Sequence, residues 1–167
     1  MARRDREVPH TVGSWEGSIM NTKPVRLIAT ILMVAGALLV VAGGATWLTV
    51  RSQLVAENIT IPDDAMAFQG NLVDGPLDAY VQADIINQHA LDGAGGKTYA
   101  EMDREDPARA TAMNASFLRS SLFTSVIAFG VAAFAAGMGV LFAAVGYALR
   151  KLAVDAPAAA VRQPVTV

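Results

Sequence analysis

A chain of 167 residues has room for about one domain, and at 53% hydrophobic residues with a mean hydropathy of +0.39 it is too apolar for an ordinary soluble one. It contains no cysteine, which excludes disulfides, thiolate metal sites, a cysteine nucleophile and a cysteine lipid anchor. The net charge of −2 gives no footing for nucleic acid.

Residues 1–22 carry charges of both signs, are broken by Pro9, Gly13 and Gly17, and show no helical or strand period. They are expected to form a disordered cytoplasmic tail. Met20 opens MNTKPVRLIATILMV, a short basic stretch followed directly by an apolar run. It is therefore read as the natural start; a native mass that includes Arg3 and Arg4 would overturn this.

From Leu27 to Val50 there are 24 residues without a charge. A hydrocarbon core of roughly 30 Å needs about 20 helical residues to cross it, so a first transmembrane helix is predicted over residues 23–51. Lys23 and Arg26 precede the run, Arg51 follows it, and Trp47 suits the outer interface. The small AGGA at 42–45 would suit a signal-peptide cut, but the apolar character continues through Trp47, Leu48 and Val50. Inside the run AGALLVVAGGA, small residues return at sevens: Ala29, Gly36 and Gly43. Helices in a bilayer associate by close packing, which small residues permit, and seven residues are two turns of a left-handed helix pair.

Residues 52–106 are expected to form an extracytoplasmic segment. The stretch 52–116 holds 11 Asp and Glu against three Lys and Arg. Ile59 and Ile61 alternate briefly, enough for a short strand. Leu77, Tyr80, Val81 and Ile85 then fall on one face of an amphipathic helix near 76–92, opened by Pro76 and ended by Gly93, Gly95 and Gly96. That face must lie on another helix or on the membrane surface. Gly93 to Thr98, GAGGKT, lacks the leading glycine of a phosphate loop, where Leu91 stands instead, and reads as a turn.

Asp106-Pro107 reads as a helix start, a capping side chain followed by proline at the first position. No breaker follows before Leu152, so one long helix is predicted over 107–152, with a second transmembrane span near 120–149. The span is flanked by Arg119 on one side and by Tyr147, Arg150 and Lys151 on the other. It carries two small-residue stripes at sevens: Gly130, Gly137 and Ala144, and Ala132, Gly139 and Gly146. One stripe can serve the partner span; the second is left for another helix. Residues 153–167, rich in Ala and Pro, are expected to be a disordered cytoplasmic tail.

Orientation follows Lys and Arg beside the spans. Lys23, Arg26, Arg150 and Lys151 outweigh Arg51 and Arg119, which predicts both termini in the cytoplasm and the loop 52–116 outside the plasma membrane. No catalytic, cofactor or metal set is found. The two histidines, His10 and His89, fall on opposite sides of the membrane in this topology. The spans contain no ionisable residue, which argues against a pump or coupled transporter.

The runs FQGNLVDGPLDAYVQADIINQHAL and ASFLRSSLFTSVIAFGVAAFAAGMGVL resemble a group of small two-span membrane proteins from actinobacteria, over roughly residues 20–152. Members often carry the automatic label "aromatic ring-opening dioxygenase". That activity needs an iron site, which one histidine per side does not supply. The resemblance implies an uncharacterised membrane protein and transfers no functional residues. The sequence thus predicts an all-α integral membrane protein: a hairpin of two transmembrane helices, the second continuing outward as a long helix, with a small helical cap. Its expected role is non-enzymatic, packing within the lipid bilayer against other membrane-protein subunits or a second copy of itself. The alternative is an extracytoplasmic sensor or small-molecule binder, which an apolar pocket between the 76–92 helix and the long helix would favour.

Overall fold

A computed structural model describes residues 22–155. The expected tails lie outside those residues, apart from Thr22 and positions 153–155, as does Met20. All regular structure among the described residues is helical: α1 spans Thr22–Ala56, α2 Pro76–Gly93 and α3 Arg109–Asp155, with a 3-10 turn at Tyr99–Glu101. No strand forms among them. Ile59 and Ile61 flank only an isolated antiparallel bridge between Thr60 and Leu72. Both α1 and α3 are long and apolar enough to cross a membrane.

Local chemistry sets the helix ends. Pro24 sits in the first turn of α1, where its missing N–H is not needed. The helix runs on to Ala56, past the expected end at Arg51, because Ser52 to Ala56 hold no breaker and Leu54 is buried in the core. Helix α2 begins with Pro76 after an extended Gly75 and stops in a turn that needs left-handed backbone at Gly95 (φ +62°) and Gly96 (φ +83°). At Asp106 the carboxylate accepts from the Ala108 N–H at 2.9 Å across Pro107, and the helix proper starts at Arg109. Its 47 residues make α3 about 70 Å long.

Four hydroxyl groups within the apolar helices are satisfied by the helices themselves. Thr30, Thr49, Thr124 and Ser125 each donate to the carbonyl four residues back, at 2.8–3.3 Å. No other partner is then needed in an apolar medium.

Helices α1 and α3 pack antiparallel along their length. Ala29 meets Gly146, Gly36 meets Gly139 and Ala143, and Gly43 meets Ala132 and Ala136. Beyond them Trp47 sits edge-on to Phe129, ring centroids 4.6 Å apart. At the opposite end the Arg26 guanidinium donates to the Ala153 carbonyl at 3.2 Å.

Helix α2 lies along the first part of α3, across the start of its apolar block, also antiparallel. Tyr80 meets Phe123 edge-on at 5.9 Å, and further along Ala90 and Gly93 border Ala108, Thr111 and Ala112. The single apolar face expected from Leu77, Tyr80, Val81 and Ile85 is corrected. Val81 and Ile85 are buried, but Leu77 is 66% exposed and Tyr80 47% exposed, while Ala79, Gln82 and Ala83 are buried. At 3.6 residues per turn those five buried positions span about 200° of the helix. The reason is that α2 is covered twice, by α3 and by the segment 57–75, whose Ile61, Ala65 and Val73 join the same core. Leu77 falls just outside the covered arc. A smaller core of Ala94, Met102 and Ala112 seats the 3-10 turn, and Arg109 fastens it by donating to the Tyr99 and Met102 carbonyls.

An ion pair from Arg51 to Asp74 and a hydrogen bond between His89 Nε2 and the Asp64 carboxylate, both at 2.6 Å, tie the segment 57–75 to the helices. The His89 hydrogen bond holds the Asp64 carboxyl below the usual carboxylate range. A carboxylate whose pKa is lowered by folding stabilises the fold above its unfolded pKa and loses that contribution as pH falls through the folded value. Acidification below the ordinary Asp range should therefore loosen this segment, weakly, since both side chains are more than half exposed. Hydrogen exchange at the Ile61 N–H, bonded to the Asn71 carbonyl at 2.9 Å, reads this out. In Asp64→Asn the acid-dependent part should shrink to what the Arg51–Asp74 pair, whose carboxyl is also held low, contributes.

Candidate functional site

The seam between α1 and α3 is built on backbone contact. A Cβ placed on Gly36 would lie 2.5 Å from the Gly139 carbonyl oxygen, and one on Gly139 would lie 2.6 Å from the Gly36 carbonyl oxygen. Similar collisions hold for Gly43 against the Ala132 carbonyl at 2.6 Å and Gly146 against the Ala29 carbonyl at 2.7 Å. Of the three runs of sevens, Ala29/Gly36/Gly43 and Ala132/Gly139/Gly146 therefore occupy this seam. The third does not. Gly130 and Gly137 have open space where a Cβ would stand, and Ala144 is exposed. Along their face Ile127, Phe134 and Leu141 are also exposed.

The flanking residues differ in exposure. Trp47 is half-buried against Phe129, whereas Tyr147 is exposed with the Lys151 ammonium 5.5 Å from its ring. Arg26 caps the carbonyl end of α3, Arg51 is paired with Asp74, and Lys23 and Arg150 are exposed. The Arg119 guanidinium lies 5.3 Å over the Phe123 ring, with its Nε buried and without a hydrogen-bond partner. Just before α2, the Asp74 carboxyl is held low by the hydrogen bond from Arg51, while Asp78 is pushed up by burial and by the charge of Asp74.

A cleft opens where all three helices meet. Leu54 of α1, Glu57 and Ile59 just after it, Gln82 and Ile86 of α2, and Leu118, Ser121 and Leu122 of α3 line a partly open cleft of about 490 Å³. That lies within the range of small-molecule sites. Gln82 is 8% exposed, and its amide oxygen Oε1 is buried without a partner. Buried polar atoms are nearly always hydrogen-bonded, because an unmet one costs about 1–3 kcal/mol. Gln82 lies outside the apolar face expected from the sequence. A signal was present: Ala79 and Ala83, one turn apart, mark a side where another helix comes close, and Gln82 lies beside them.

Elsewhere the chemistry is sparse. No three His, Asp or Glu side chains come together in a metal-holding group among the described residues. The GAGGKT stretch is the end of α2 followed by a turn, in which Glu101 accepts from the Thr98 N–H and hydroxyl, both at 2.8 Å. This capping holds the Glu101 carboxyl below its usual range. No protein-family model, curated protein or solved structure matches the chain.

Proposed function

We propose that this is a non-enzymatic integral membrane protein of the plasma membrane, in which α1 and α3 form a transmembrane hairpin. The segment between them would cap it on the outer side, with both termini cytoplasmic. Exposure supports bilayer insertion: in the most apolar windows of α1 and α3 only 11% and 17% of residues are buried within the chain. A soluble core helix would be covered by protein. The orientation rests on the excess of Lys23, Arg26, Arg150 and Lys151 over Arg51 and Arg119.

Within that frame the protein is an assembly or accessory component that packs against another membrane helix, from a larger complex or from a second copy. The observation that carries this is the Gly130/Gly137 face, free of contact in the chain while the neighbouring Gly139/Gly146 face is fully used. Gly137→Leu should shift the native-gel size of the detergent-purified protein toward the free chain and leave the α1–α3 pair intact. An unchanged size would reject this face as the assembly surface.

A second reading has its own support. The cleft of about 490 Å³ lined by Leu54, Ile86, Leu118 and Leu122 favours an outer segment that binds a small molecule.

A further inference from the structure

Resting on the bilayer reading above, we propose that the outer segment is itself seated in the membrane. The first turns of α2 lie in the outer lipid interface, with Leu77 among the acyl chains and the Tyr80 ring at their edge. Height, the pattern along the helix and the handling of charge each point to this.

Height follows from the side chains that meet. In the α1–α3 seam Gly43 meets Ala132 and Ala136, and Trp47 meets Phe129. Counted on in the antiparallel sense, Val50 stands opposite Val126. Tyr80 of α2 meets Phe123, so Leu77, three residues back, also stands level with Val126. Leu77 therefore lies within about one helical turn, ~5 Å, of the heights of Leu48 on α1 and Ile127 on α3. All three side chains are exposed. Leu48 and Ile127 stand at the outer ends of the faces proposed to meet lipid, and Leu77 continues that apolar surface onto a third helix. The charge-free block of α3 begins earlier, at Ser120, but its Leu122 and Phe123 pack into the core shared with α2 and the segment 57–75. Those turns owe their apolar character to the cap, which leaves the lipid edge near Leu77.

The pattern along α2 agrees. Asp84 and Gln88 fall within about 20° of the line through Leu77, with Tyr80 beside it. On this least covered side the character changes with height. Leu77 and Tyr80 stand at the membrane end. Asp84 and Gln88 follow, joined by a hydrogen bond from Gln88 Nε2 to the Asp84 carboxylate at 2.7 Å. A helix wholly in water has no reason to sort its outer face by height, whereas one whose end enters the interface does. Tyrosine settles at that boundary because its ring is apolar and its hydroxyl polar. The charges at this height are held by the protein, as the edge of a bilayer demands. Arg51 is paired with Asp74 at 2.6 Å, and Asp78, half-buried, turns back onto Gly75.

The chain has no cysteine, so single cysteines carry nitroxide labels cleanly. Leu77→Cys, Gln88→Cys, Leu48→Cys and Leu38→Cys all replace exposed residues and leave the packing intact. In liposomes, each label's access to oxygen, which concentrates in lipid, is compared with its access to a water-soluble nickel chelate. The label at position 77 should favour oxygen, as those at 48 and 38 do. The label at 88 should favour nickel, about 16 Å further from the bilayer centre. Nickel favoured at 77 with oxygen favoured at 38 would overturn the seating of α2 and leave the bilayer reading standing. Nickel favoured at 38 would overturn both. Screening of position 77 from both reagents, as a second protein chain on this face would produce, or a lipid signature at 88 as well, would also overturn the seating.

Discussion

Gly36→Leu should weaken the α1–α3 pair by about 3 kcal/mol, the upper end of the usual cost of overpacking. The obstacle is backbone. A Cβ at Gly36 would meet the Gly139 carbonyl oxygen at 2.5 Å and the Ala143 amide nitrogen at 2.7 Å, neither of which can rotate aside. The helices must separate, and separation loosens the contacts at Gly43 and Ala29 as well. In the proposed bilayer setting close packing is what would hold the helices together, so little would remain to offset that loss. The chain supplies its own controls. Gly44→Leu changes the same residue type on the same helix, one position from Gly43, into open space. It should fall within about 0.5 kcal/mol of the wild type, as surface substitutions do. Unfolding in mixtures of mild detergent and dodecyl sulfate, followed by Trp47 fluorescence in a Trp15→Phe background, distinguishes them. Equal sensitivity of the two variants would mean that the seam is not where the pair is held.

The second large effect is expected at Phe129→Ala. Phe129 is 1% exposed, the largest fully buried side chain among the described residues, and the edge-on partner of Trp47. It belongs to the core that also contains Val73 and Ile61 from the segment 57–75 and Val81 and Ile85 from α2. Its removal should cost about 3–5 kcal/mol, through lost contacts and the cavity left behind, including roughly 1 kcal/mol from the aromatic pair. The loss should be felt away from the seam. Hydrogen exchange at the Val73 N–H, bonded to the Ile59 carbonyl at 2.9 Å, should accelerate along with the global change. Phe129→Leu, which keeps much of the volume, should cost less than half as much. A silent Phe129→Ala would show that the segment 57–75 is held by its Arg51–Asp74 and His89–Asp64 contacts rather than by this core.

These residues also show what could be read from sequence. The charge-free blocks at 27–50 and 120–149 announce two long apolar helices, since an uninterrupted apolar run of that length has few other solutions. Pro76 and the Gly93–Gly96 cluster bracket α2 because turn chemistry is local. Leu77 was misassigned for a definite reason. Periodicity finds the strongest apolar face, but it cannot see that α2 is covered from two sides, so that Ala79 and Ala83 are buried and Leu77 is not. Trp47 was read as an interface anchor from its residue type, whereas its contact is set by Phe129, 82 positions away in the chain. Gln82 escaped notice because a single polar residue on a helix carries no sign of what stands opposite, and Leu118 and Leu122 lie far off in the sequence. The Asp64–His89 pair, 25 residues apart, depends in the same way on the path of the intervening loop.

The spacing of the seam has a consequence for how the pair finds its alignment. Glycine notches seven residues apart act like the teeth of a rack with a pitch of about 10.5 Å. A slip of one or two residues drives Cβ atoms into backbone, so intermediate alignments are closed. A slip of a whole pitch is different. It would set Gly36 against Ala132 or Gly146 instead of Gly139, small residue still facing small residue, and the seam itself would scarcely object. What breaks the tie is at the ends of the rack. Only one alignment lays Trp47 on Phe129 and brings Arg26 to the Ala153 carbonyl. The glycines decide how closely the two helices approach, and the aromatic pair and the guanidinium decide which tooth meets which.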